Sequence, residues 1–313
     1  LDSLHIANLA INAGLPSSLF AASGIGPVYR SLDQGRHWTS VKDLTTDYIG
    51  EIKIHPRNSN VIFASSDPDP GISADGGETW TFTKLPTPYS ASVVAFHPQD
   101  PQMIYVGTSG GGMVKTTDLG KTWKVINSGL GKKSISAIAV DPHNGANLFV
   151  ATNSDSYTGR ARVFKTVNGG TTWTSVSTGL NGPRILSLAI DPTSPATLYL
   201  VQQEYVFFDI AAKFVYKSID SGQHWTQKTR GLPQSFFGGF GIDFIVVDPS
   251  NSQTLFSIGW NSIYTSTDGA ENWTRFSLTG LESDLEIDAL QINPAEPRIL
   301  YIGTSRGVFS FQR

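Results

Sequence analysis

Residues 73–80 read Ser73-Ala-Asp75-Gly-Gly77-Glu-Thr-Trp80, and the same spacing of hydroxyl residue, acid, glycine and tryptophan returns five more times along the 313-residue chain. The other copies are Ser31-Leu-Asp33-Gln-Gly35-Arg-His-Trp38, Thr116-Thr-Asp118-Leu-Gly120-Lys-Thr-Trp123, Thr166-Val-Asn168-Gly-Gly170-Thr-Thr-Trp173, Ser218-Ile-Asp220-Ser-Gly222-Gln-His-Trp225 and Ser266-Thr-Asp268-Gly-Ala270-Glu-Asn-Trp273. Successive tryptophans lie 42, 43, 50, 52 and 48 residues apart, a period that marks propellers and other repeat arrays.

Working outward from each octapeptide, a second pattern precedes it: an apolar run that ends in Asp-Pro or a variant, then another apolar run. It reads Ile52-Lys-Ile54-His55-Pro56, Val93-Val-Ala-Phe96-His97-Pro98, Ile138-Ala-Val140-Asp141-Pro142, Leu188-Ala-Ile190-Asp191-Pro192, Ile245-Val-Val247-Asp248-Pro249 and Leu290-Gln-Ile292-Asn293-Pro294. A weaker form, Leu9-Ala-Ile11-Asn12, opens the chain and makes seven. Each unit then holds four strand candidates: the run before Asp-Pro, the run after it, the segment entering the octapeptide and the segment leaving its tryptophan. Four short antiparallel strands are one propeller blade. The expected fold is an all-β, seven-bladed β-propeller in one domain over 1–313, with repeats at approximately 5–41, 47–84, 90–126, 134–176, 184–228, 239–276 and 285–313. The seventh unit reaches Gly307-Val308-Phe309 and Arg313 without an octapeptide. Its blade is therefore expected to be three-stranded, or to be closed by a segment from the N-terminal side. The first inner strand is expected to begin near Ile6.

The octapeptide suits a hairpin turn. An Asp accepts hydrogen bonds from turn amides, a Gly takes a backbone geometry that a Cβ would strain, and a Trp offers a broad apolar face for packing between sheets. Asn168 should serve in part, and Ala270 implies strain or a different turn. This pattern resembles the BNR or Asp-box repeat of sialidases, xyloglucanases, sortilin-type receptors and photosystem II assembly factors. The resemblance covers nearly the whole chain and implies a propeller whose boxes lie away from the binding face. Asp33, Trp38, Asp75, Trp80, Asp118, Trp123, Asn168, Trp173, Asp220, Trp225, Asp268 and Trp273 are then structural. The same families contain enzymes, receptors and assembly factors, so the resemblance does not choose among them.

Composition removes several classes of function. A formal net charge of -3 lacks the basic excess that phosphate neutralisation needs, so nucleic acid is not an expected partner. The chain has no cysteine, which excludes disulfides, thiolate metal sites and a cysteine nucleophile. No apolar stretch approaches the length of a membrane span. The start, Leu1-Asp2-Ser3-Leu4-His5, lacks the basic and apolar regions of a signal peptide. The expectation is a bacterial secreted or periplasmic protein whose signal peptide is absent from this chain. The six histidines show no zinc spacing and five of them fall in octapeptides or Asp-Pro-type turns, and neither a metal nor a cofactor is expected. Ser109-Gly110-Gly111-Gly112 lies between two strands with no helix after it, so it is not read as a phosphate loop.

In an up-and-down blade, two of the connections emerge on the face opposite the octapeptides, and functional residues are sought there. Acidic residues assigned to this face include Asp47, Asp67, Asp69, Asp155, Glu204, Asp209, Asp243, Asp284, Glu286 and Asp288. Of these, Asp47, Asp243 and Asp288 are the candidate catalytic group, since glycosidases need two carboxylates at a set separation. The sialidase Arg-Ile-Pro motif is missing, the first arginine being Arg30, and Pro183-Arg184-Ile185 only scrambles it. The units four to six carry longer, aromatic connections with Tyr157, Arg160, Tyr205, Phe207, Phe208, Phe236, Phe237, Phe240 and Trp260. Aromatic rings beside polar groups are typical of glycan and peptide surfaces. The leading expectation is a non-catalytic binding or assembly propeller for a protein or glycan. A glycoside hydrolase or lyase is the alternative, and the open edge of the last blade is a further place for assembly.

Overall fold

Short apolar runs closed by Gly, Pro, Asn and Asp turns leave room for strands of 2 to 10 residues. In the computed structural model, no helix occurs among the described residues. Those residues are 1, 4–12, 18–24, 26–42, 44, 49–156, 159–207, 210–233, 242–259, 261–277 and 285–313, with the side chains of 205–207 and 210–211 not described. The fold is an all-β, seven-bladed propeller in which six blades have four antiparallel strands and the last has three.

The chain divides into two compact units, residues 1–126 with 285–313, and residues 127–284. In the first unit, blade 1 is β1 (Asn8–Ile11), β2 (Leu19–Ala22), β3 (Val28–Ser31) and β4 (Thr39–Ser40), and blade 2 is β5 (Ile49–His55), β6 (Asn58–Ser66), β7 (Gly71–Ser73) and β8 (Thr81–Phe82). Blade 3 is β9 (Ala91–Phe96), β10 (Ile104–Thr108), β11 (Met113–Thr116) and β12 (Lys124–Val125). The second unit holds blade 4, β13 (Ile135–Val140), β14 (Leu148–Thr152), β15 (Arg162–Thr166) and β16 (Thr174–Ser175), and blade 5, β17 (Arg184–Ile190), β18 (Leu198–Phe207), β19 (Ile210–Ser218) and β20 (Thr226–Gln227). It ends with blade 6, β21 (Ile242–Val247), β22 (Leu255–Gly259), β23 (Ser262–Ser266) and β24 (Thr274–Phe276). Blade 7, in the first unit, is β25 (Ile287–Ile292), β26 (Ile299–Thr304) and β27 (Gly307–Gln312).

Burial follows position within the blade. The second strands are the most buried: β2, β10, β14 and β22 are buried at every residue. The fourth strands β4, β8, β12, β16 and β20 are two residues long and exposed, which leaves little open edge for unwanted pairing. Cores lie between neighbouring blades. In the first unit, Phe20, Val28 and Leu44 of blade 1 pack with Ile52 and Ile62 of blade 2, and Phe63 and Leu85 of blade 2 pack with Val94 and Val106 of blade 3. Leu9 and Leu19 pack with Ala289 and Tyr301 of the last blade. In the second unit, Phe149 meets Leu188, Leu198 and Trp225, while Tyr199 and Val201 meet Ile245, Leu255 and Trp273.

One detail differs from the sequence reading and another agrees with it. The first strand starts at Asn8, and the Ile6 amide donates to the Thr304 carbonyl of β26 at 2.9 Å. The last blade is three-stranded among the described residues.

His55 and His97 occupy the place of Asp in the first turn of their blades and act as Asp does. The His55 Nδ1 accepts the Arg57 and Asn58 amides at 3.1 and 3.0 Å, as Asp141 Oδ1 accepts the amides of His143 and Asn144 at 2.9 and 3.2 Å. An accepting Nδ1 requires the uncharged ring, and burial lowers the pKa of both His55 and His97.

A second recurring contact is a latch between blades of the second unit. The segments Ser128-Gly129-Leu130, Thr178-Gly179-Leu180 and Arg230-Gly231-Leu232 each follow a fourth strand. The carbonyls of Ser128, Thr178 and Arg230 accept the backbone N–H of Trp173, Trp225 and Trp273, each at 2.9 Å. The glycines have φ of 84, 99 and 90°. A Cβ at Gly129, Gly179 or Gly231 would lie 2.2, 2.5 or 2.0 Å from the tryptophan carbonyl, so only glycine permits the approach. Gly131 has φ of 77° but nothing within 4 Å of an added Cβ. We therefore expect Gly131→Ala to cost about 1 kcal/mol, the backbone penalty alone, and Gly231→Ala to cost clearly more in urea unfolding. Equal losses would show that the close approach contributes nothing.

Candidate functional site

Blades 1 to 6 each carry an octapeptide turn at one end and other connections at the opposite end. The octapeptides join the third and fourth strands, and in all six the first hydroxyl is the pivot. Ser31 Oγ accepts the Gly35 N–H at 2.8 Å and donates to Asp33 Oδ1 at 2.9 Å, and that oxygen accepts the His37 N–H at 2.8 Å. The same three bonds recur from Ser73, Thr116, Thr166, Ser218 and Ser266. The seventh residue supplies another donor: Thr79, Thr122 and Asn272 bind the second oxygen of Asp75, Asp118 and Asp268 at 2.5, 2.6 and 2.7 Å. At Asn168 the direction reverses, its Nδ2 donating to Thr172 Oγ1 at 2.9 Å.

Ala270 keeps the common turn at φ of 74°, its amide still 2.9 Å from Ser266 Oγ. The left-handed backbone costs about 1–2 kcal/mol. Its fully buried methyl offsets about 0.8 kcal/mol, and its smaller unfolded-state entropy relative to glycine offsets about 0.4–1 kcal/mol more. The sequence reading allowed strain or a different turn, and the geometry shows strain in the same turn.

The tryptophans close the gaps between blades. Trp225 and Trp273 are nearly buried in the cores shared with the preceding blade, and their Nε1 groups donate to the Val176 and Lys228 carbonyls at 2.9 and 3.0 Å. Trp123 Nε1 reaches Thr83 Oγ1 at 2.9 Å. The octapeptide carboxylates are thus occupied by the turn, and the indoles of Trp123, Trp225 and Trp273 by the blade contact.

The opposite loop face is different in the two units. In the second unit, β18 and β19 are 10 and 9 residues long, against 5 for β14 and β22. They stay paired as far as Phe207 and Ile210, so this hairpin is a long extension of blade 5, with Tyr205 and Phe207 on its first strand. It packs against β21 of blade 6, where Lys213 pairs with Asp243. Glu204 accepts the Tyr216 hydroxyl at 2.5 Å, and burial is the main cause raising the Tyr216 pKa. Arg160 is exposed beside β15. Tyr157, Phe208, Phe236, Phe237, Phe240 and Trp260 lie outside the described residues.

Of the candidate carboxylates, Asp47 also lies outside the described residues. Asp243 belongs to the second unit and is paired with Lys213, and Asp288 belongs to the first and lies 2.8 Å from His5 Nε2. Each therefore has a local cationic or imidazole partner. Among the described residues no three His, Asp or Glu side chains gather as a metal site, and no helix is long and apolar enough to cross a membrane.

A family model described as Sortilin-Vps10, "Sortilin, neurotensin receptor 3", matches residues 26–112 and 111–239. The chain belongs to this family. Curated relatives include a xyloglucanase of Hypocrea jecorina, 30% identical over 135 residues, or 35% of this chain and 16% of the relative. Another is the human VPS10 domain-containing receptor SorCS2, 29% identical over 136 residues, or 41% of this chain and 11% of the receptor. The chain thus spans less than a fifth of the length of either relative. Among solved structures, the GH74 xyloglucanase of Xanthomonas campestris superposes with a TM-score of 0.80 at 16% identity, over 100% of this chain and 52% of the enzyme. A structure of YCF48 bound to D1 peptide superposes with a TM-score of 0.67 at 14% identity, over 99% of this chain and 94% of that one. At such identities these likenesses show the fold alone.

The octapeptide acids carry a pH signature. Hydrogen bonds to the ionised carboxylate hold Asp75, Asp118, Asp220 and Asp268 at about 2, against an ordinary 3.8, and lower Asp33 further. The largest cause is the side chain of Thr79, Thr122 and Asn272 for Asp75, Asp118 and Asp268, and the backbone N–H of His37 and His224 for Asp33 and Asp220. Because the folded pKa is depressed, this stabilisation is complete above the unfolded value and is lost as pH falls from about 4 toward about 2. Urea unfolding across that range should show the loss, and Asp220→Asn should flatten the slope. An unchanged slope in that variant would mean the carboxylate is not held by the folded turn.

Proposed function

We propose that this chain is a non-catalytic binding or assembly propeller, acting as one domain over 1–313, that recognises a protein or a glycan through the loop face opposite the octapeptides. The observation that carries this reading is the long β18–β19 hairpin. It projects a strand pair bearing Tyr205 and Phe207 beyond its blade and is tied to the next blade by Lys213 and Asp243. A strand pair carrying aromatic residues suits recognition, since aromatic rings offer a large contact area with few rotatable bonds. The ion pair also occupies one of the three carboxylates that a hydrolytic site would draw on. Relatives named as a receptor and a structure of YCF48 bound to a peptide support a binding role. In this reading the chain works outside the cytoplasm of a bacterium, secreted or periplasmic, and the open edge of the last blade is where a larger assembly would join.

The likeness to xyloglucanases favours a second reading, hydrolysis or lyase chemistry on a polysaccharide with Asp47, Asp243 and Asp288 as the acid groups. Peptide and glycan arrays probed with the wild type and with a combined Phe207→Ala, Phe237→Ala, Trp260→Ala variant separate the two. The binding reading expects capture that the variant loses while its melting temperature stays unchanged. Capture unaffected by the three changes contradicts it. Release of reducing ends from xyloglucan that Asp243→Asn or Asp288→Asn abolishes would establish the hydrolytic reading instead.

A further inference from the structure

The first unit has an aromatic residue on its loop face that the preceding reading does not use. Tyr89 lies between the last strand of blade 2 and the first of blade 3 and is 44% exposed. Its seat is built from the glycine run of the next hairpin. A Cβ at Gly110 would lie 2.7 Å from Tyr89 Cε1, 2.9 Å from Cδ1 and 3.1 Å from Cζ, so the ring rests directly on the Gly110 backbone. A Cβ at Gly111 would lie 2.4 Å from Thr87 Oγ1. Glycine at both positions therefore lets the segment 87–90 lie flat on the β10–β11 turn. Pro86 and Pro88 restrict the same segment, and Tyr89 N–H is held by Thr87 Oγ1 at 3.3 Å. The ring thus has a backbone seat within the chain itself.

The polar groups around it leave specific vacancies. Loop backbone groups are engaged with one another: Ser109 N–H with the Ser90 carbonyl at 3.1 Å, Thr108 N–H with the Gly112 carbonyl at 3.0 Å, and Gly111 N–H with Thr108 Oγ1 at 2.9 Å. There is no free ladder here for an extended peptide, whose main chain is the usual source of affinity in strand addition. The side chains do remain available. Asp67 uses Oδ1 to accept the Ser90 hydroxyl at 2.9 Å, and no described residue binds Oδ2. The Tyr89 hydroxyl has no partner among the described residues, and Ser109 is exposed. Asp69 adds a second carboxylate on the Asp67 loop, and neither is in an ion pair with a described residue.

We propose that Tyr89 is the stacking platform of a ligand site on the loop face of blades 2 and 3, and that this site takes an uncharged saccharide. The inference rests on the binding reading of the loop face and names a ligand class for a different part of it. One tyrosine ring matches the apolar C–H face of one pyranose, and free carboxylate and hydroxyl oxygens accept from sugar hydroxyls. The Asp67 carboxylate, held beside Tyr89 by the Ser90 hydroxyl, disfavours uronic acids and other anionic sugars.

Isothermal titration of the full chain with cellohexaose, mannohexaose and xyloglucan heptasaccharide tests this, with trigalacturonic acid and hexa-arginine as contrasts. At least one neutral probe should bind, Tyr89→Ala should weaken it about tenfold or more at unchanged melting temperature, and Tyr89→Trp should retain it. Gly110→Ala should weaken it too, by lifting the ring. The proposal is overturned if none of the neutral probes binds, if Tyr89→Ala binds them as the wild type does, or if only hexa-arginine binding depends on Tyr89. Loss of neutral-sugar binding in the Phe207, Phe237, Trp260 variant with none in Tyr89→Ala overturns the platform and leaves the broader reading standing.

Discussion

A buried hydroxyl at the first position of each octapeptide is the constraint on which the other turn contacts depend. Ser218, 1% exposed, accepts the Gly222 amide and donates to Asp220 in the same geometry seen in five other blades. Orienting the Asp lets it collect the amide and side chain of the seventh residue, and this sets where the eighth residue, tryptophan, leaves the turn. In the second unit the tryptophan backbone is then in register with the carbonyl of the preceding blade's Gly-Leu segment. One local hydroxyl thus links turn geometry to blade spacing. This also accounts for the use of Ser or Thr there, the two side chains that can accept and donate from a short tether.

The blade count and the strand order were legible in the sequence because both repeat. A period of 42 to 52 residues between tryptophans and an apolar run before each Asp-Pro are statistical signals that survive substitution at any one position. The roles of Asp and Gly in the turn followed from residue type alone. The hydroxyl pivot was visible as a repeated Ser or Thr, but its function needs the fold: the amide it satisfies is four residues away and buried. The seventh position was harder, since His37, Thr79, Asn272 and their equivalents share only a donor, not a residue type. The latch was also written in the chain, as Gly-Leu at 129–130, 179–180 and 231–232, yet its meaning depends on a tryptophan carbonyl in the next blade.

The loop face was less legible because its connections do not repeat. Long aromatic segments in units four to six marked the β18–β19 hairpin, whereas pairing of Asp243 with Lys213 could not be read from residues 30 positions apart. The glycine run at 110–112 lies between β10 and β11, the two strands that the repeat register had put on either side of it. Its actual service, a bed for Tyr89, depends on a contact between two loops that no spacing rule encodes. The division is physical: scaffold contacts are periodic because every blade solves the same packing problem, and loop contacts are local to whatever each loop meets.

The most direct measurement of the scaffold account is the unfolding free energy of Ser218→Ala beside Ser218→Thr. The account predicts a loss of about 1–3 kcal/mol for alanine, which leaves the buried Gly222 amide unsatisfied, and little change for threonine, which already fills this place in Thr116 and Thr166. An alanine variant as stable as the wild type would contradict it.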